Sequence, residues 1–564
     1  MTIPSHDCRF VKTIQRRALM GAALVLPVWL TDISQAASTG LTFRLKGSDF
    51  SVSGQVQSYD GKNYIVDTPR FGEVHLDAAK FDCSGSDCPT APITAKPTAP
   101  ARPALEKPPV VAALALAQPP ARIGSRITLS GTDAIARQLM PQLIEAYATS
   151  IKATVGIAAV SPPGQSKYVI APAGGGDGIE ISVRGHGTDQ GFADLEKGAA
   201  QIVMASRPIA AEESTRLSTL GLGNFRLPTH EHALALDGLM ILVAPRNPAV
   251  SVSIEQLAQI LSGQISDWSQ LNLPPGKITV YTAPATIDTT DTLTALLLKP
   301  RGLTLTPTAQ KTTNNTDLAD QVSRDPGGIG ISAMIPRPTA KALTVETSCG
   351  LIVKPSLFAV KTEEYPLSRQ LYLYTAGIPS NPTARALLEF AMSAAAQPII
   401  RNLDYVDRDI QALSFADQTD RLAYALNAAP DDFDLKLART MISELRARNR
   451  LSLTLRFQPI TDDLSSKANA DLNHLIAYLS APENLTKRAM LIGFGDATGT
   501  FLANLKLSER RTATLYRALL AQAQGKIDLT RLSMSSYGKL APVACNDSVT
   551  HRSLNRRVEV WLQN

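Results

Sequence analysis

The sequence predicts a multidomain protein with a small β module, a central α/β region and a C-terminal α+β region. The chain has 564 residues, whereas a single hydrophobic core stops growing at roughly 250–300 residues. Strand and helix patterns alternate over residues 126–403, which favours an α/β architecture. The composition is globular, with 44% hydrophobic and 19% charged residues, but the 37 prolines indicate an extended segment.

Residues 1–36 have the three parts of a secretory signal peptide. Four basic residues come first: Arg9, Lys12, Arg16 and Arg17. An apolar run over residues 18–30 follows, and Ser34-Gln35-Ala36 has the small-x-small form that signal peptidase accepts. We expect Sec export to the periplasm, because the residues around Arg16-Arg17 match a twin-arginine signal only loosely. The alternative is a short uncleaved anchor helix.

Beyond residue 36 the sequence gives no argument for nucleic-acid binding or for a membrane span. Removing residues 1–36 takes away four basic and two acidic side chains, so the formal charge falls from +6 to +4. So weak a basic balance does not indicate a nucleic-acid partner. No later stretch approaches the roughly 20 apolar residues that a transmembrane helix needs.

Four cysteines follow the predicted cleavage site: Cys83, Cys88, Cys349 and Cys545. In an oxidising periplasm the close pair Cys83 and Cys88 is predicted to form a disulfide. Metal binding is the alternative, but no second Cys/His pair lies nearby. Cys349 and Cys545 lie in different predicted domains, so they are either free or joined in a cross-domain bridge.

The N-terminal module, residues 37–88, is predicted to consist of β-hairpins. Its short strands are predicted over residues 41–45, 50–56, 64–66 and 74–76. Asp60-Gly61 is a typical hairpin turn. Residues 89–121 follow as a linker, because nine prolines among many alanines favour an extended polyproline II conformation.

The central region, residues 122–405, alternates strands and helices. Strands are predicted over residues 126–129, 180–183, 201–204, 239–243, 278–281, 329–332 and 371–374. Helices are predicted over residues 133–147, with a kink at Pro141, and over residues 254–261 and 383–394.

The chain ends with a helical connector, residues 406–450, and a final domain, residues 451–564. The final domain is predicted as an α+β sandwich in the order β-α-β-α-β. Its strands are predicted over residues 451–457, 490–494 and 558–562, and its long helix over residues 505–522.

The final domain carries an ordered series of motifs over about 110 residues. The motifs are residues 493–499 (GFGDATG), residues 504–511 (NLKLSERR), Tyr537-Gly538, Pro542, Cys545-Asn546 and residues 555–560 (NRRVEV). The series resembles the OmpA-like peptidoglycan-binding family. The ligand that this resemblance implies is the diaminopimelate of a stem peptide, which offers one carboxylate and one ammonium group.

The resemblance assigns peptidoglycan-binding roles to five residues. Asp496 would take the ammonium group, and the guanidinium of Arg511, 15 residues later, would grip the carboxylate through a bidentate fork. Thr498 and Asn504 would shape the loop, and Arg556 would lie close to the site. The alternative is that Asp496 and Arg511 only pair with each other, as surface ions often do. Gly495 departs from the family, which usually carries Thr or a similar residue there.

The central region resembles the PstS-like phosphate-binding proteins of ABC importers, which are type 2 periplasmic binding proteins with two α/β lobes. The matching runs are residues 129–132 (LSGT), 185–192 (GHGTDQGF), 204–209 (MASRPI), 236–238 (LDG) and 261–268 (LSGQISDW). The resemblance implies a tetrahedral oxyanion such as phosphate between the lobes and, as a partner, an ABC importer.

Three loops carry the predicted anion site. Its residues are Ser130, Gly131, Thr132, Gly187, Thr188, Ser206 and Arg207. Ser130-Gly131-Thr132 follows a strand and opens a predicted helix, where free N–H groups and hydroxyls favour anions. Gly187-Thr188 would add donors, and Ser206-Arg207 a hydroxyl and a positive charge.

Two departures put phosphate binding in question. The Arg-Ser-Gly-Thr pattern of the family's second-lobe loop is lost in residues 283–290, where Asp288 would repel an anion. His186 also stands where a Ser is usual. The lobes therefore either bind phosphate or keep the fold and bind another ligand or none.

No catalytic or metal centre is predicted. His230 and His232 would share one face of a strand, but no third ligand is evident, and no nucleophile with a matched base stands out. We expect no cofactor and no enzyme activity. The leading hypothesis is a periplasmic solute receptor held on peptidoglycan, and the rival is an envelope scaffold whose lobes contact another protein.

Overall fold

The computed structural model describes residues 41–46, 51–68, 72–85, 88–89, 91, 120, 122–159, 165–283, 289–335, 338–427, 432–457 and 464–563. The predicted signal peptide, nearly all of the predicted linker and residues 284–288 of the altered loop lie outside this set. The elements below are numbered along the chain within the described residues.

The N-terminal module is a five-stranded antiparallel sheet. Its strands are β1 (Leu41–Leu45), β2 (Ser51–Tyr59), β3 (Asn63–Thr68), β4 (Gly72–Asp77) and β5 (Phe81–Ser84), in the order β4-β3-β2-β1-β5. The predicted hairpin turn is confirmed, since the Asp60 carboxylate accepts the N–H groups of Lys62 and Asn63 while Gly61 has φ 92°. The predicted Cys83–Cys88 disulfide is present, with a Cα–Cα distance of 5.9 Å.

The first lobe follows the linker. Its elements are β6 (Ile123–Gly131), α1 (Met140–Ser150), β7 (Ala153–Ala159), β8 (Gln165–Pro172), β9 (Gly178–Gly185), α2 (Thr188–Glu196), β10 (Ile202–Ala205) and α3 (Ala211–Thr219). A π-helical turn, Ile135–Leu139, precedes α1. Pro141, where the sequence predicted a kink, lies in the first turn of α1.

The second lobe is entered along β11 (Glu231–Val243). Its elements are β12 (Ser251–Ser253), α4 (Ile254–Ser262), β13 (Thr279–Thr282), α5 (Thr289–Leu293), β14 (Gln310–Lys311), α6 (Asn315–Arg324), β15 (Gly328–Ala333), β16 (Lys341–Ala342), β17 (Thr344–Glu346), β18 (Ile352–Val353) and α7 (Leu357–Lys361). The chain returns to the first lobe through β19 (Ser368–Tyr374), α8 (Pro382–Ala391) and α9 (Gln397–Asn402).

One curled sheet runs through both lobes. Its strand order is β14-β13-β15-β11-β19-β10-β6-β9-β8-β7, and β16 also pairs with β11. The first part of β11 pairs with β19, whereas its last part, from Leu239, pairs with β15. Each lobe has its own hydrophobic core, built around Leu129 and Leu371 in the first and around Ile241 and Leu318 in the second.

The C-terminal region begins earlier than the predicted domain boundary. Its elements are β20 (Ala412–Ser414), α10 (Thr419–Asn427), α11 (Asp432–Leu445), β21 (Asn449–Arg456), α12 (Ser466–Ser480), β22 (Arg488–Phe494), α13 (Phe501–Ala523), β23 (Leu532–Ser536), α14 (Val549–Asn555) and β24 (Arg557–Gln563). The sheet order is β20-β21-β24-β22-β23, so the predicted connector contributes the edge strand β20 as well as helices α10 and α11.

The N-terminal module and the C-terminal region share a core. Helices α12 and α13 cover one face of the C-terminal sheet, while α10 and α11 lie on the face that presents Ile492 and Trp561. The module packs Phe43 and Phe81 into that same core. The Nζ of Lys80 also donates to the Leu426 carbonyl at 2.5 Å. The N-terminal module and the C-terminal region therefore fold together.

The C-terminal region is also joined to both lobes. Cys349 and Cys545 form the cross-domain disulfide that the sequence left open, with a Cα–Cα distance of 5.7 Å. Two buried ion pairs cross the same boundary: Arg450 pairs with Glu364, and Arg408 Nη2 lies 2.6 Å from Asp471 Oδ1. None of the described helices has both the length and the apolar character that crossing a bilayer requires.

Candidate functional site

The predicted anion loops meet at one edge of the sheet in the first lobe. Strands β6, β9 and β10 are parallel neighbours, so their carboxyl ends lie side by side. The Thr132 N–H donates to the Met204 carbonyl at 2.8 Å, and the N–H groups of His186 and Gly187 both donate to the Gly131 carbonyl at 2.9 Å. The structure therefore brings the three predicted loops together.

Two glycines of this edge have different tasks. Gly131 has φ 148°, and a Cβ there would lie 1.9 Å from the Met204 carbonyl oxygen, so only glycine allows β6 and β10 to approach this closely. Gly187 has φ 99°, but a Cβ built there meets nothing within 4 Å. Because Gly187 directly precedes α2, the open side of the site lies at the N-terminus of that helix.

Ser130 is engaged by two neighbouring side chains. Its hydroxyl donates to Asp194 Oδ2 at 2.7 Å, and its oxygen lies 2.7 Å from Nε2 of His186. The same imidazole nitrogen is 3.2 Å from Asp194. A catalytic triad uses opposite imidazole nitrogens for its two contacts, so this cluster is not arranged as one. The only hydroxyl proton of Ser130 is therefore held inside the protein.

Asp194 carries a negative charge at the floor of the site. Burial opposes ionisation of its carboxyl, but hydrogen bonds from Ser130 and Gln190 and the nearby His186 outweigh burial and lower its pKa. His186 and Ser130 thus both contact this carboxylate. The sequence flagged His186 as a departure from the family, and the structure gives it a partner.

Thr188 and Ser206 connect the second and third loops. The Ser206 N–H donates to Thr188 Oγ1 at 3.1 Å, and the two hydroxyl oxygens lie 3.4 Å apart. Thr188 is buried at the first residue of α2. These contacts hold both hydroxyls beside the helix N-terminus.

Arg207 is gripped by two carboxylates. Its guanidinium donates two bonds of 2.8 Å to Glu213 and one of 2.5 Å to Asp189. These hydrogen bonds, of which those to Glu213 contribute most, raise the pKa of Arg207 above its ordinary range. Arg207, which the sequence predicted to bind the anion, is thus already paired with two acidic side chains of the first lobe.

The second-lobe side of the site is described only in part. Thr290 donates to the Ala283 carbonyl at 3.3 Å, and residues 284–288 between them lie outside the described residues. Asp237, from the matching LDG run, accepts from Thr292 at 2.9 Å and from Arg369 at 3.1 Å. Asp237 therefore joins the connecting strands β11 and β19 to helix α5.

Four of the five predicted peptidoglycan residues meet at the loop after β22: Asp496, Thr498, Asn504 and Arg556. Asp496 is buried, and its Oδ1 accepts the Thr498 N–H at 2.8 Å. Its Oδ2 accepts Nη1 of Arg556 at 2.7 Å. Burial opposes ionisation, but the bonds from Arg556 and Thr498 outweigh burial and lower the pKa of Asp496. The site thus presents an ionised carboxylate at neutral pH.

Asn504 fixes the same loop from helix α13. Its side-chain amide donates to the carbonyls of Thr498 and Thr500, at 2.8 and 3.2 Å. Gly495 lies against Asn504, since a Cβ at position 495 would come within 3.1 Å of the Asn504 amide oxygen. The departure from the family at Gly495 therefore accompanies close packing on Asn504.

Arg511 lies on the same helix as Asn504, about two turns further along α13, and is buried. Its guanidinium carbon is 5.5 Å from the ring centroid of Phe457, a cation–π contact. The residue paired with Asp496 is Arg556, whereas the alternative weighed from the sequence was pairing with Arg511. Two contacts escaped sequence reasoning: Phe457 beneath Arg511, and Asn546, whose side-chain oxygen accepts the Ala497 N–H at 3.0 Å.

The His230–His232 pair has local partners. Nε2 of His232 lies 3.1 Å from Thr375 Oγ1, and burial lowers the pKa of His232 to about 4. His230 contacts Thr229 through Nδ1 at 2.9 Å. Within the described part of the chain, no three His, Cys, Asp or Glu side chains are grouped as a metal site requires.

Comparison with family models gives two matches. Residues 149–395 match the PBP superfamily domain, and residues 456–556 match the OmpA family. The chain therefore contains a PstS-like binding-protein domain and a C-terminal OmpA domain, which confirms both resemblances predicted from the motifs.

Curated relatives give the same picture. The chain is 29% identical over 252 residues to Protein SphX of Synechococcus elongatus, covering 43% of this chain and 72% of that protein. Phosphate-binding protein PstS of Staphylococcus saprophyticus is 27% identical over 204 residues, covering 35% and 61%. Probable lipoprotein YiaD of Escherichia coli is 28% identical over 129 residues, covering 22% and 58%. The chain thus spans about three fifths of the PstS and YiaD relatives.

Solved structures are similar at low identity. An ABC-type phosphate transport receptor from Vibrio cholerae is 24% identical, with a TM-score of 0.37, and 50% of this chain covers 99% of it. A possible phosphate binding protein from Planctomyces limnophilus is 19% identical, with a TM-score of 0.41, covering 51% and 94%. The periplasmic domain of Helicobacter pylori MotB is 22% identical, with a TM-score of 0.18, covering 21% and 75%.

Proposed function

We propose that this protein is a non-catalytic periplasmic receptor for phosphate or a related oxyanion, held on the cell wall by its OmpA domain. One observation carries the anchoring half: Asp496 is ionised on a loop that Thr498, Asn504 and Asn546 hold in place. A preorganised carboxylate binds an ammonium group without first ordering its own loop. The diaminopimelate of a stem peptide supplies such a group.

The anion half of the proposal rests on the edge formed by β6, β9 and β10. Helix α2 starts at this edge, next to Gly187, and the hydroxyls of Thr188 and Ser206 lie beside its first turn. Free N–H groups of a first helical turn and nearby hydroxyls are suited to a tetrahedral oxyanion. The relatives named phosphate-binding protein PstS support phosphate as the first anion to test.

The competing proposal is an envelope scaffold that binds no anion. Arg207 is already paired with Glu213 and Asp189, and the Ser130 proton is donated to Asp194. An anion at this edge would therefore have to compete with three carboxylates. This arrangement favours the scaffold unless phosphate displaces Asp189, whose side chain is 88% exposed.

Calorimetry distinguishes the two proposals. We would purify the full chain from the periplasm, strip bound ligand by unfolding and refolding under oxidising conditions, and titrate it with phosphate and, in parallel, sulfate. Micromolar or tighter phosphate binding supports the receptor. Absence of heat and of any thermal shift with both anions supports the scaffold.

Sedimentation with purified sacculi tests the anchor separately. The full chain is expected to sediment with sacculi and to be released by a soluble muropeptide that contains diaminopimelate. A chain that stays in the supernatant would contradict the anchoring half and leave the anion half standing.

A further inference from the structure

Residues 545–547 contact both the peptidoglycan loop and the second lobe. They lie in the segment between β23 and α14, and the three consecutive side chains of Cys545, Asn546 and Asp547 each have a partner in another part of the fold.

Asn546 is hydrogen-bonded to both segments that carry the Asp496–Arg556 pair. Its side-chain oxygen accepts the Ala497 N–H at 3.0 Å and the side-chain amide of Asn555 at 3.1 Å. Ala497 directly follows Asp496, and Asn555 directly precedes Arg556. One amide oxygen thus sets the positions of both members of the Asp496–Arg556 pair.

Cys545 and Asp547 hold the same segment on the second lobe. Cys545 is bonded to Cys349, and Asp547 Oδ2 accepts the Ser348 hydroxyl at 2.8 Å. Ser348 and Cys349 form the turn between β17 and β18, and Val345 of β17 belongs to the core of that lobe. Cys349 is exposed whereas Cys545 is buried, so a soluble reductant can approach the bridge from the side of Cys349.

We propose that the Cys349–Cys545 bridge and Asn546 are positioning elements for stem-peptide binding, so that the grip on peptidoglycan depends on the redox state of this cross-domain disulfide. The proposal rests on the anchoring function proposed above. Without the bridge, the segment keeps only non-covalent contacts with the second lobe. These include the Ser348–Asp547 hydrogen bond between exposed side chains and the contacts of the Cys545 sulfur with the Cys349 N–H at 3.2 Å and with Thr347 Oγ1 at 3.3 Å. An exposed hydrogen bond and bonds to sulfur contribute little in water, so Asn546 would fix the loop less well.

The second disulfide of the chain is a matched control. Cys83–Cys88 closes a loop in the N-terminal module and has no partner at the peptidoglycan loop among the described contacts. Both bridges stabilise the native state by restricting the unfolded chain. Only loss of Cys349–Cys545 is expected to lower affinity for the stem peptide. If lower affinity came only from a general loss of stability, loss of either bridge would lower it.

The test measures affinity for a muropeptide containing diaminopimelate, by calorimetry on the full chain purified from the periplasm. The variants are C83S/C88S, C349S/C545S and N546A, each with and without dithiothreitol. In C83S/C88S we expect reduction to weaken binding about twofold to tenfold, the effect of one or two lost hydrogen bonds, and oxidised glutathione to restore it. C349S/C545S should bind weakly in both conditions.

N546A tests whether the effect travels through Asn546. It should bind as weakly as C349S/C545S and lose most of its sensitivity to dithiothreitol, because changes within one network are not additive. If N546A remains fully redox-sensitive, the route through Asn546 is wrong. If C83S/C88S binds equally well oxidised and reduced, the positioning role is overturned while the anchor stands. If the oxidised wild type does not bind, the anchor and this inference fall together.

Discussion

Arg556 donates to Asp496 across 2.7 Å, and this pair closes the loop where the stem peptide is proposed to bind. The other carboxylate oxygen accepts the Thr498 N–H at 2.8 Å. An incoming ammonium group must therefore share the carboxylate with Arg556. This makes Arg556 a determinant of the charge state of Asp496 as well as of its position.

Arg556→Gln is expected to make stem-peptide binding more sensitive to acid. The pKa of Asp496 lies below its ordinary value. At any pH above the ordinary carboxyl pKa the side chain is therefore charged, and it loses its charge only as the pH falls through the lowered pKa. Without Arg556 that pKa rises, so binding should fail at a higher pH. Muropeptide affinity from about pH 7 down to about pH 3, below the ordinary Asp value of about 3.9, measures the shift.

The control for this pH profile is Arg517→Gln. Arg517 is exposed on the same domain and bonds only within α13 in the described contacts, to Ala513 and Thr514. The Arg517→Gln substitution removes one positive charge and does not affect the contacts of Asp496. Superimposable profiles for the Arg556 and Arg517 variants would contradict the assigned role of Arg556.

Asp496→Asn and Arg511→Lys should each release the protein from sacculi. The first change keeps the shape and removes the charge, and the second keeps the charge but loses the bidentate fork. Arg511→Lys is preferable to Arg511→Ala, because Arg511 is buried against Phe457 and truncation would also remove packing. Sedimentation with sacculi, with thermal unfolding as a check on folding, gives the answer. Retention of both variants would eliminate the anchor mechanism.

Arg207→Gln is expected to lower phosphate affinity at least about tenfold, the size of one charge-assisted hydrogen bond. The matched control is Arg216→Gln, which removes an equal charge from a surface pair with Glu196 at 2.7 Å. Calorimetry on both variants separates a specific contact from a change in net charge. Equal phosphate affinity of the two variants would contradict a direct contact between Arg207 and the anion.

Sequence patterns predicted many elements of the lobes and of the C-terminal region but missed others, including some with few apolar residues. Strand β15 is buried throughout and was predicted, whereas β23 presents serines and an exposed Met534 and was not. Helix α2 was missed because Phe192 and Leu195 are its only large apolar residues. Periodicity identifies an element through its buried face, so an element with little buried apolar surface leaves a weak pattern.

The sequence did not determine which side chains of the site pair with each other. Motif spacing placed Asp496, Arg511 and Arg556 in one domain, but the pairing of Asp496 with Arg556 depends on where α14 ends in space. In the same way, cysteine positions allowed either free thiols or a Cys349–Cys545 bridge. The docking of the N-terminal module on α10 and α11 has no local signature, since it depends on surfaces far apart in the chain.

Glu364→Gln should destabilise the junction between the second lobe and the OmpA domain. Glu364 pairs with Arg450, which is fully buried, and breaking a buried pair costs about 3–5 kcal/mol. Glu196→Gln, in the surface pair with Arg216, should cost about 0–1 kcal/mol. The midpoint of urea unfolding compares the two. Equal midpoints would mean that Arg450 is satisfied by Glu559 alone, from which its Nε lies 3.2 Å.

Phosphate is expected to close the two lobes less in the intact chain than in C349S/C545S. The OmpA domain is fixed to the first lobe, since Ser466 donates to the Arg226 carbonyl at 2.8 Å and Asp471 pairs with Arg408. It is fixed to the second lobe through Cys349–Cys545 and through the buried Arg450–Glu364 pair. Rotation of the lobes about β11 and β19 would strain one of these attachments, and losing the buried Arg408–Asp471 pair alone costs about 3–5 kcal/mol.

Inter-lobe distances measure this restraint directly. Spin labels carried by unnatural amino acids at the exposed positions Ile151 and Gln310, one on each lobe, avoid the cysteines. Phosphate should shorten the label distance little in the oxidised chain and more in C349S/C545S, because the variant lacks the covalent attachment of the second lobe to the OmpA domain and keeps the non-covalent Arg450–Glu364 pair. Equal shortening in both proteins would show that the disulfide leaves lobe closure unrestrained, and that the attachments near β11 tolerate the full rotation.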